Sequence, residues 1–141
     1  MRFMVLVKAN EISESGALPT EADIVTMGKF NEELVRGGVL LAADGLHASS
    51  RGVRMQPSPS GKRAITDGPF TETKELIAGF WMIQVKSKEE AIEWFSRCPA
   101  EAGEIELRQV YDEADFAPVI ESDEGRAAMK AEGEFRRRAT V

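Results

Sequence analysis

The run Leu76-Ile77-Ala78-Gly79-Phe80-Trp81-Met82-Ile83-Gln84-Val85 constrains this chain more than any other stretch. It reads as a strand, whose successive side chains point to opposite faces. Ile77, Gly79, Trp81, Ile83 and Val85 then share one face, and Ala78, Phe80, Met82 and Gln84 share the other. Both faces are mainly apolar, so each needs a cover. Residues 3–9 make the same demand, with Phe3, Val5 and Val7 on one side and Met4 and Leu6 on the other. A third run, Val39-Leu40-Leu41-Ala42-Ala43, is apolar throughout and reads as a strand buried on both faces.

The segments between supply the first cover. Thr20 is placed to cap a helix, with Asp23 as the reciprocal capping-box acid. Ile24, Met27, Asn31, Leu34 and Val35 follow at helical spacing, and Gly37-Gly38 stops the run. A second helix starts at Ser87 with Glu90 three residues on. Ala91, Ile92, Phe95 and Cys98 mark its expected buried stripe, Glu93 and Arg97 form an i,i+4 pair, and Pro99 ends it. Residues 104–111 alternate polar and apolar, as a half-exposed strand does. Residues 10–18 read as a loop. Residues 52–56 and 62–66 flank a Pro/Ser/Gly turn and read as a β-hairpin.

Without that hairpin the order is βαββαβ, an α+β ferredoxin-like antiparallel sheet with both helices on one face. The second apolar face then lacks a cover, and a monomer does not leave so much apolar surface in water. The pattern therefore predicts a homodimer, sheet against sheet. Residues 1–112 form the expected domain. Residues 113–141, acidic at first and ending with Arg136-Arg137-Arg138 near the terminus, form a helical or partly disordered extension.

Charge and composition narrow the functional classes. The formal net charge is −6, which argues against non-specific nucleic-acid binding. The single cysteine, Cys98, allows no internal disulfide and fits a reducing compartment; on the apolar side of its helix it reads as a core residue. No apolar run approaches a membrane span, and the opening apolar stretch is too short for a secretion signal. The expected location is the cytoplasm, with no membrane partner. No metal-ligand spacing, phosphate loop or nucleotide motif is present, so no metal and no cofactor are expected.

Chemistry-bearing residues concentrate after the second strand and at one corner. Asp44 and His47, the only histidine, come straight off the strand end. Arg51, Arg54, Lys62 and Arg63 make the hairpin the most basic part of an acidic chain. The corner Asp67-Gly68-Pro69-Phe70 joins the hairpin to the apolar strand. Gly68 is suited to a positive φ, Pro69 fixes its own φ, Asp67 can close an Asx turn, and Phe70 anchors the corner. Glu72, Lys74 and Glu75 follow.

Asp67-Gly68-Pro69-Phe70, with Thr73-Lys74-Glu75 and Gly79-Phe80, resembles the signature of the YCII-related family, in the branch named for the DGPF motif. Met4-Val5-Leu6-Val7, Gly38-Val39-Leu40-Leu41-Ala42, Gly45-Leu46 and Ala91-Ile92-Glu93-Trp94 are similar to it as well. The resemblance reaches to about Tyr111. It implies a dimeric α/β barrel built from two ferredoxin-like units. It also implies kinship with barrel enzymes, muconolactone isomerases and dehydrochlorinases, that move protons without a cofactor. Some members resemble accessories of sigma factors in their context. The family's acid after the second strand corresponds to Asp44; His47, three residues on, lies outside the matched motif.

Two classes of function follow. In the first, the chain is a cofactor-independent isomerase- or lyase-type enzyme on a small organic acid or lactone. Asp44 or Asp67 takes a proton, the other carboxyl orients the substrate, and His47 shuttles. Arg51, Arg54 or Lys74 holds a carboxylate, and Phe70 and Phe80 contact the apolar body. The acid–base work needs a carboxyl raised toward neutral pH by burial, which an interior of Met4, Leu6, Phe80 and Met82 could provide. In the second, the chain is a non-catalytic homodimeric module for a ligand or regulatory partner, with Asp67, Lys74 and Glu75 pinning the corner to the neighbouring chain and Gly68, Pro69 and Glu75 as the structural motif. Convergence of Asp44, His47 and Asp67 on one pocket would separate the two.

Overall fold

The computed structural model describes residues 1–139. Its main sheet has four strands in the order β2 (Leu40–Gly45), β5 (Ile77–Gln84), β1 (Arg2–Lys8), β6 (Ile105–Gln109). β1 pairs antiparallel with both β5 and β6, and β2 pairs antiparallel with β5. Helices α2 (Glu21–Arg36) and α3 (Lys88–Phe95) cover one face. This is the ferredoxin-like α+β arrangement expected from the strand and helix order.

The core forms where the predicted face of the central strands meets the helices. Phe3, Val5, Trp81, Ile83 and Val85 are buried together with Phe30, Leu34, Ala91 and Phe95. Trp81, Phe30 and Phe95 meet pairwise edge-on, with ring centroids 5.2–6.0 Å apart. Such contacts favour rings beyond their area burial alone. The opposite face, with Met4, Leu6, Phe80 and Met82, is only half-buried.

The helix registers differ from the expected stripes. Ile24, Val35 and Ile92 are exposed, while Phe30 takes the buried position on α2 and Trp94 is half-buried on α3. The aromatic trio decides which face turns inward. Asn31 is held by tertiary contact, accepting a hydrogen bond from Trp81 Nε1 at 2.8 Å. Arg97 pairs across to Glu33 at 3.7 Å and lies over the Trp94 ring at 4.5 Å, so the expected partner Glu93 is not used. The reciprocal Thr20–Asp23 capping box forms, and Ser87 caps α3. Cys98 is half-buried, and burial pushes its thiol up to about 11, which keeps it protonated and inert near neutrality.

Three local elements depart from the sequence reading. Residues 10–18 contain a short helix, α1 (Glu11–Glu14), closed by reciprocal bonds between Asn10 and Ser13. β2 is an edge strand rather than one buried on both faces, and it extends through Asp44, so Asp44 has a defined register. The hairpin is β3 (Val53–Gln56) and β4 (Ala64–Asp67), a separate two-stranded sheet with every residue exposed. Beyond β6, helices α4 (Glu113–Phe116) and α5 (Asp123–Ala139) follow. Arg137 pairs with Glu113 at 3.6 Å, and Gly133 packs directly against the Glu113 carboxylate.

Candidate functional site

The β2–β5 edge builds a cleft from two missing side chains. Gly45 and Gly79 are register partners on the helix-facing side, two residues beyond the Ala43–Trp81 pair. A Cβ at Gly45 would meet nothing within 4 Å. A Cβ at Gly79 would come within 3.1 Å of the Asp44 carbonyl oxygen, so this glycine lets β2 approach closely. The resulting cleft of about 340 Å3 is lined by Val7, Met27, Asn31, Asp44, Phe80 and Trp81 together with that glycine pair.

Register also places Asp44. It pairs with Phe80, which pairs with Leu6, which pairs with Glu106, so one row crosses the sheet on the face the helices leave uncovered. Glu106 is tied to Lys8 at 4.0 Å. Asp44 makes no side-chain hydrogen bond or ion pair among the described residues. Its carboxylate is exposed beside apolar Phe80.

The corner is a second assembly, organised by Ser49. The Ser49 amide donates to Glu14 Oε1 at 3.0 Å and its hydroxyl to Glu14 Oε2 at 2.5 Å. The same hydroxyl oxygen accepts from the Phe70 amide at 3.0 Å. The Gly68 amide donates to the Gly52 carbonyl at 3.0 Å. Gly68 does not take a positive φ; the Gly68–Pro69 bond is cis. Glycine is needed for close approach instead, because a Cβ there would lie 1.7 Å from the Ser49 carbonyl oxygen. The expected Asx turn of Asp67 is absent among the described hydrogen bonds, and the backbone bond to Gly52 closes the corner in its place. Arg54 lies over the Phe70 ring at 3.9 Å, and Arg51 Nη1 is 3.1 Å from His47 Nε2.

The predicted residues therefore fall into separate groups. Asp44 and Phe80 border the cleft, but by register their side chains stand on the opposite face of the sheet from Gly45, Gly79 and Trp81. His47 stands with Arg51, and Arg54 with Phe70, around the corner. Asp67, Lys74 and Glu75 are exposed, and their side chains make no hydrogen bond or ion pair among the described residues. Neither His47 nor Asp67 lines the cleft. Asn31, Ser49 and Glu14 were not legible as site residues. Asn31 looked like one member of a helical stripe, and Glu14 lay in a stretch without periodicity. Among the described residues no group of acids, histidine and cysteine is placed to hold a metal, and no helix is long and apolar enough to cross a membrane.

Fold and cleft together define a ferredoxin-like α+β protein with a cleft of about 340 Å3 at the edge of its sheet. Residues 1–114 match the YCII-related domain, and the chain belongs to the YCII-related family. No curated protein matches the chain. A solved structure similar to it is 5-chloro-2-hydroxyhydroquinone dehydrochlorinase (TftG) from Burkholderia phenoliruptrix AC1100, in complex with 2,5-dihydroxybenzoquinone. The two are 12% identical, with 79% of this chain and 95% of that one covered and a TM-score of 0.42.

Proposed function

We propose that the chain is a homodimeric, cofactor-independent acid–base enzyme acting on a small organic acid or lactone, with Asp44 as the proton-transferring carboxylate. The observation that carries this reading is that Asp44 stands on the sheet face the helices leave uncovered, at the end of a row that continues into apolar Phe80 and Leu6. In one protomer Asp44 is exposed. A second sheet packed over Met4, Leu6, Phe80 and Met82 would enclose it and give it the low-dielectric setting that proton abstraction from carbon requires.

The step is a proton shift. A carboxylate oxygen of Asp44 takes a proton from the carbon beside the substrate carbonyl. The C–H bond breaks, an O–H bond forms, and the electron pair moves onto the carbonyl oxygen as an enolate. Return of the proton to a conjugated carbon yields an isomer of unchanged composition. The hairpin supports the dimer. Val53 is 56% exposed, Met55 54% and Ile65 65%, and a two-stranded ribbon is marginal without something to pack on. It is suited to lie as an arm against the partner, bringing the His47, Arg51 and Asp67 region toward the shared interior. Cytoplasmic residence fits the lone, inert Cys98.

A second reading is a non-catalytic dimeric module for a ligand or regulatory partner. It is favoured by the position of His47 and Asp67 outside the cleft. Deuterium exchange separates the two. Small carboxylates and lactones that raise the melting temperature are incubated with the protein in D2O and followed by proton NMR. The enzyme reading expects loss of the carbonyl-adjacent proton signal, slowed about 100-fold or more in Asp44→Asn. Stabilising compounds that keep all their protons would establish the binding module, and unchanged exchange in Asp44→Asn would remove Asp44 from the role.

A further inference from the structure

The sheet face that the helices leave uncovered carries opposite charge at its two ends. Register places Arg2 and Gln84 at one end, Met4 and Met82 in the middle, and Leu6, Phe80 and Asp44 at the other. Glu106 and Arg108 share this face, but Glu106 is met by Arg108 at 3.3 Å and by Lys8 at 4.0 Å. Asp44 and Arg2 are the charges on this face left without an opposite one among the described residues. Arg2 is half-buried, and one Nη donates to the Tyr111 carbonyl at 3.2 Å. The space beside it, about 270 Å3, is also lined by Gln84, Asp112, Glu113, Arg136 and Arg137. Asp112 caps α4 and Glu113 pairs with Arg137, so neither acid neutralises Arg2.

The segments beyond the sheet repeat this polarity. At the Asp44 end the chain enters the hairpin region, where Arg51, Arg54, Lys62 and Arg63 stand against Asp67 alone. At the Arg2 end β6 leads into residues 111–124, which hold six acids and no lysine or arginine. Helix α5 answers two of these acids, Asp123 and Glu113, through Arg126 and Arg137. Two aligned sheets keep their strand directions within about 30° of one another, so a second copy lies across the face in the same sense or reversed. The same sense sets Arg2 against Arg2, Asp44 against Asp44, and one basic hairpin beside the other. The reversed sense sets each charge against its opposite, twice over by two-fold symmetry.

We propose that the second copy packs reversed, and that Arg2 of the partner subunit binds the carboxylate of the substrate whose proton Asp44 takes. This deepens the enzyme reading and rests on its dimer and on Asp44. A two-fold axis across the strands keeps their lateral order, so the partner's β1 lies over β1, two strands from β2. Strands about 4.8 Å apart, in sheets about 10 Å apart, then leave roughly 10 Å of lateral offset between Asp44 and the partner subunit's Arg2. That span suits a small acid held between the two, not a direct ion pair. One protomer cannot supply both groups. Along β1 its own Arg2 stands about 13 Å from Leu6, which shares the row of Asp44. Each site therefore needs both subunits. The substrate class is a small oxo carboxylate, with its charged group a few bonds from the acidic C–H.

The packing is tested without a ligand. Sedimentation equilibrium at low salt compares wild type with Asp44→Arg, Arg2→Asp and the variant carrying both changes. Each single change sets like charges together and is expected to raise the dimer dissociation constant about tenfold; the double variant restores opposite charges and returns to within about threefold of wild type. Additive losses in the double variant, or no loss in either single one, would overturn the reversed packing and leave the dimer and Asp44 standing. A monomeric wild type would overturn both. The role of Arg2 is tested by NMR titration with levulinate, an oxo acid, and its uncharged methyl ester. Levulinate is expected to bind Arg2→Gln about tenfold more weakly than wild type, with Arg2→Lys between them and the ester binding all three alike. Unchanged levulinate affinity in Arg2→Gln, an equal loss for the ester, or no binding of levulinate to wild type would overturn that role. If Arg2→Gln binds levulinate normally while Asp44→Asn still slows exchange, the inference fails and the enzyme reading stands. If levulinate binding depends on Arg2 but wild type exchanges no proton, the reverse holds.

Discussion

Replacing Trp81 by alanine lowers stability by about 3–5 kcal/mol, the largest loss expected from any single side chain here. Trp81 is 4% exposed at the centre of the sheet, and two rings meet it edge-on. Its removal leaves a cavity that β1, β5, α2 and α3 cannot close without leaving their register, and it strands the Asn31 oxygen. For a domain whose whole stability is on the order of 5–15 kcal/mol, this is a large fraction. Trp81→Phe separates the two contributions. It keeps a ring in the trio and loses the Nε1–Asn31 bond, so about 1–2 kcal/mol is expected. Urea denaturation of both variants measures the difference; a loss under 1 kcal/mol in Trp81→Ala would mean that the aromatic trio does not organise the core.

Gly68→Ala is expected to cost about 3 kcal/mol, through a clash and not through backbone conformation. The new Cβ would meet the Ser49 carbonyl oxygen at 1.7 Å and its carbon at 2.6 Å, both backbone atoms that cannot swing away. The corner must lift from residues 49–50, and the Ser49 hydroxyl then loses the Phe70 amide. Gly28→Ala is the control, since a Cβ there meets nothing within 4 Å and a helical alanine gains about 0.5–1 kcal/mol over glycine. Hydrogen exchange should show β3 and β4 opening in Gly68→Ala while β1 and β5 stay protected. Normal hairpin protection would show that the corner does not depend on that approach.

The strands and helix starts were legible because each rests on local chemistry. Alternation placed Phe3, Val5, Trp81 and Ile83 on the buried face, and capping residues placed Thr20 and Ser87. The inward helix face was not legible. Ile24 and Val35 fit the period of α2 as well as Phe30 does, and only the meeting of Phe30 and Phe95 with Trp81 selects among them. The corner was found from Gly68 and Pro69, but for the wrong reason, since its cause is a carbonyl some twenty residues away in sequence. The candidate residues were half legible. Asp44 stood out as a charge after an apolar run, whereas Asn31 gains its meaning from Trp81, fifty positions along the chain. A four-residue helix such as α1 is too short for periodicity to register, so Glu14, which holds Ser49, lay hidden.

The central claim is that a second copy of the chain covers the face carrying Asp44, Leu6 and Phe80. Sedimentation velocity at micromolar concentration tests it most directly, with wild type compared to Leu6→Lys on that face. Wild type is expected to sediment as a dimer, and Leu6→Lys as a folded monomer that no longer exchanges substrate protons. A wild-type chain that sediments as a monomer would contradict it.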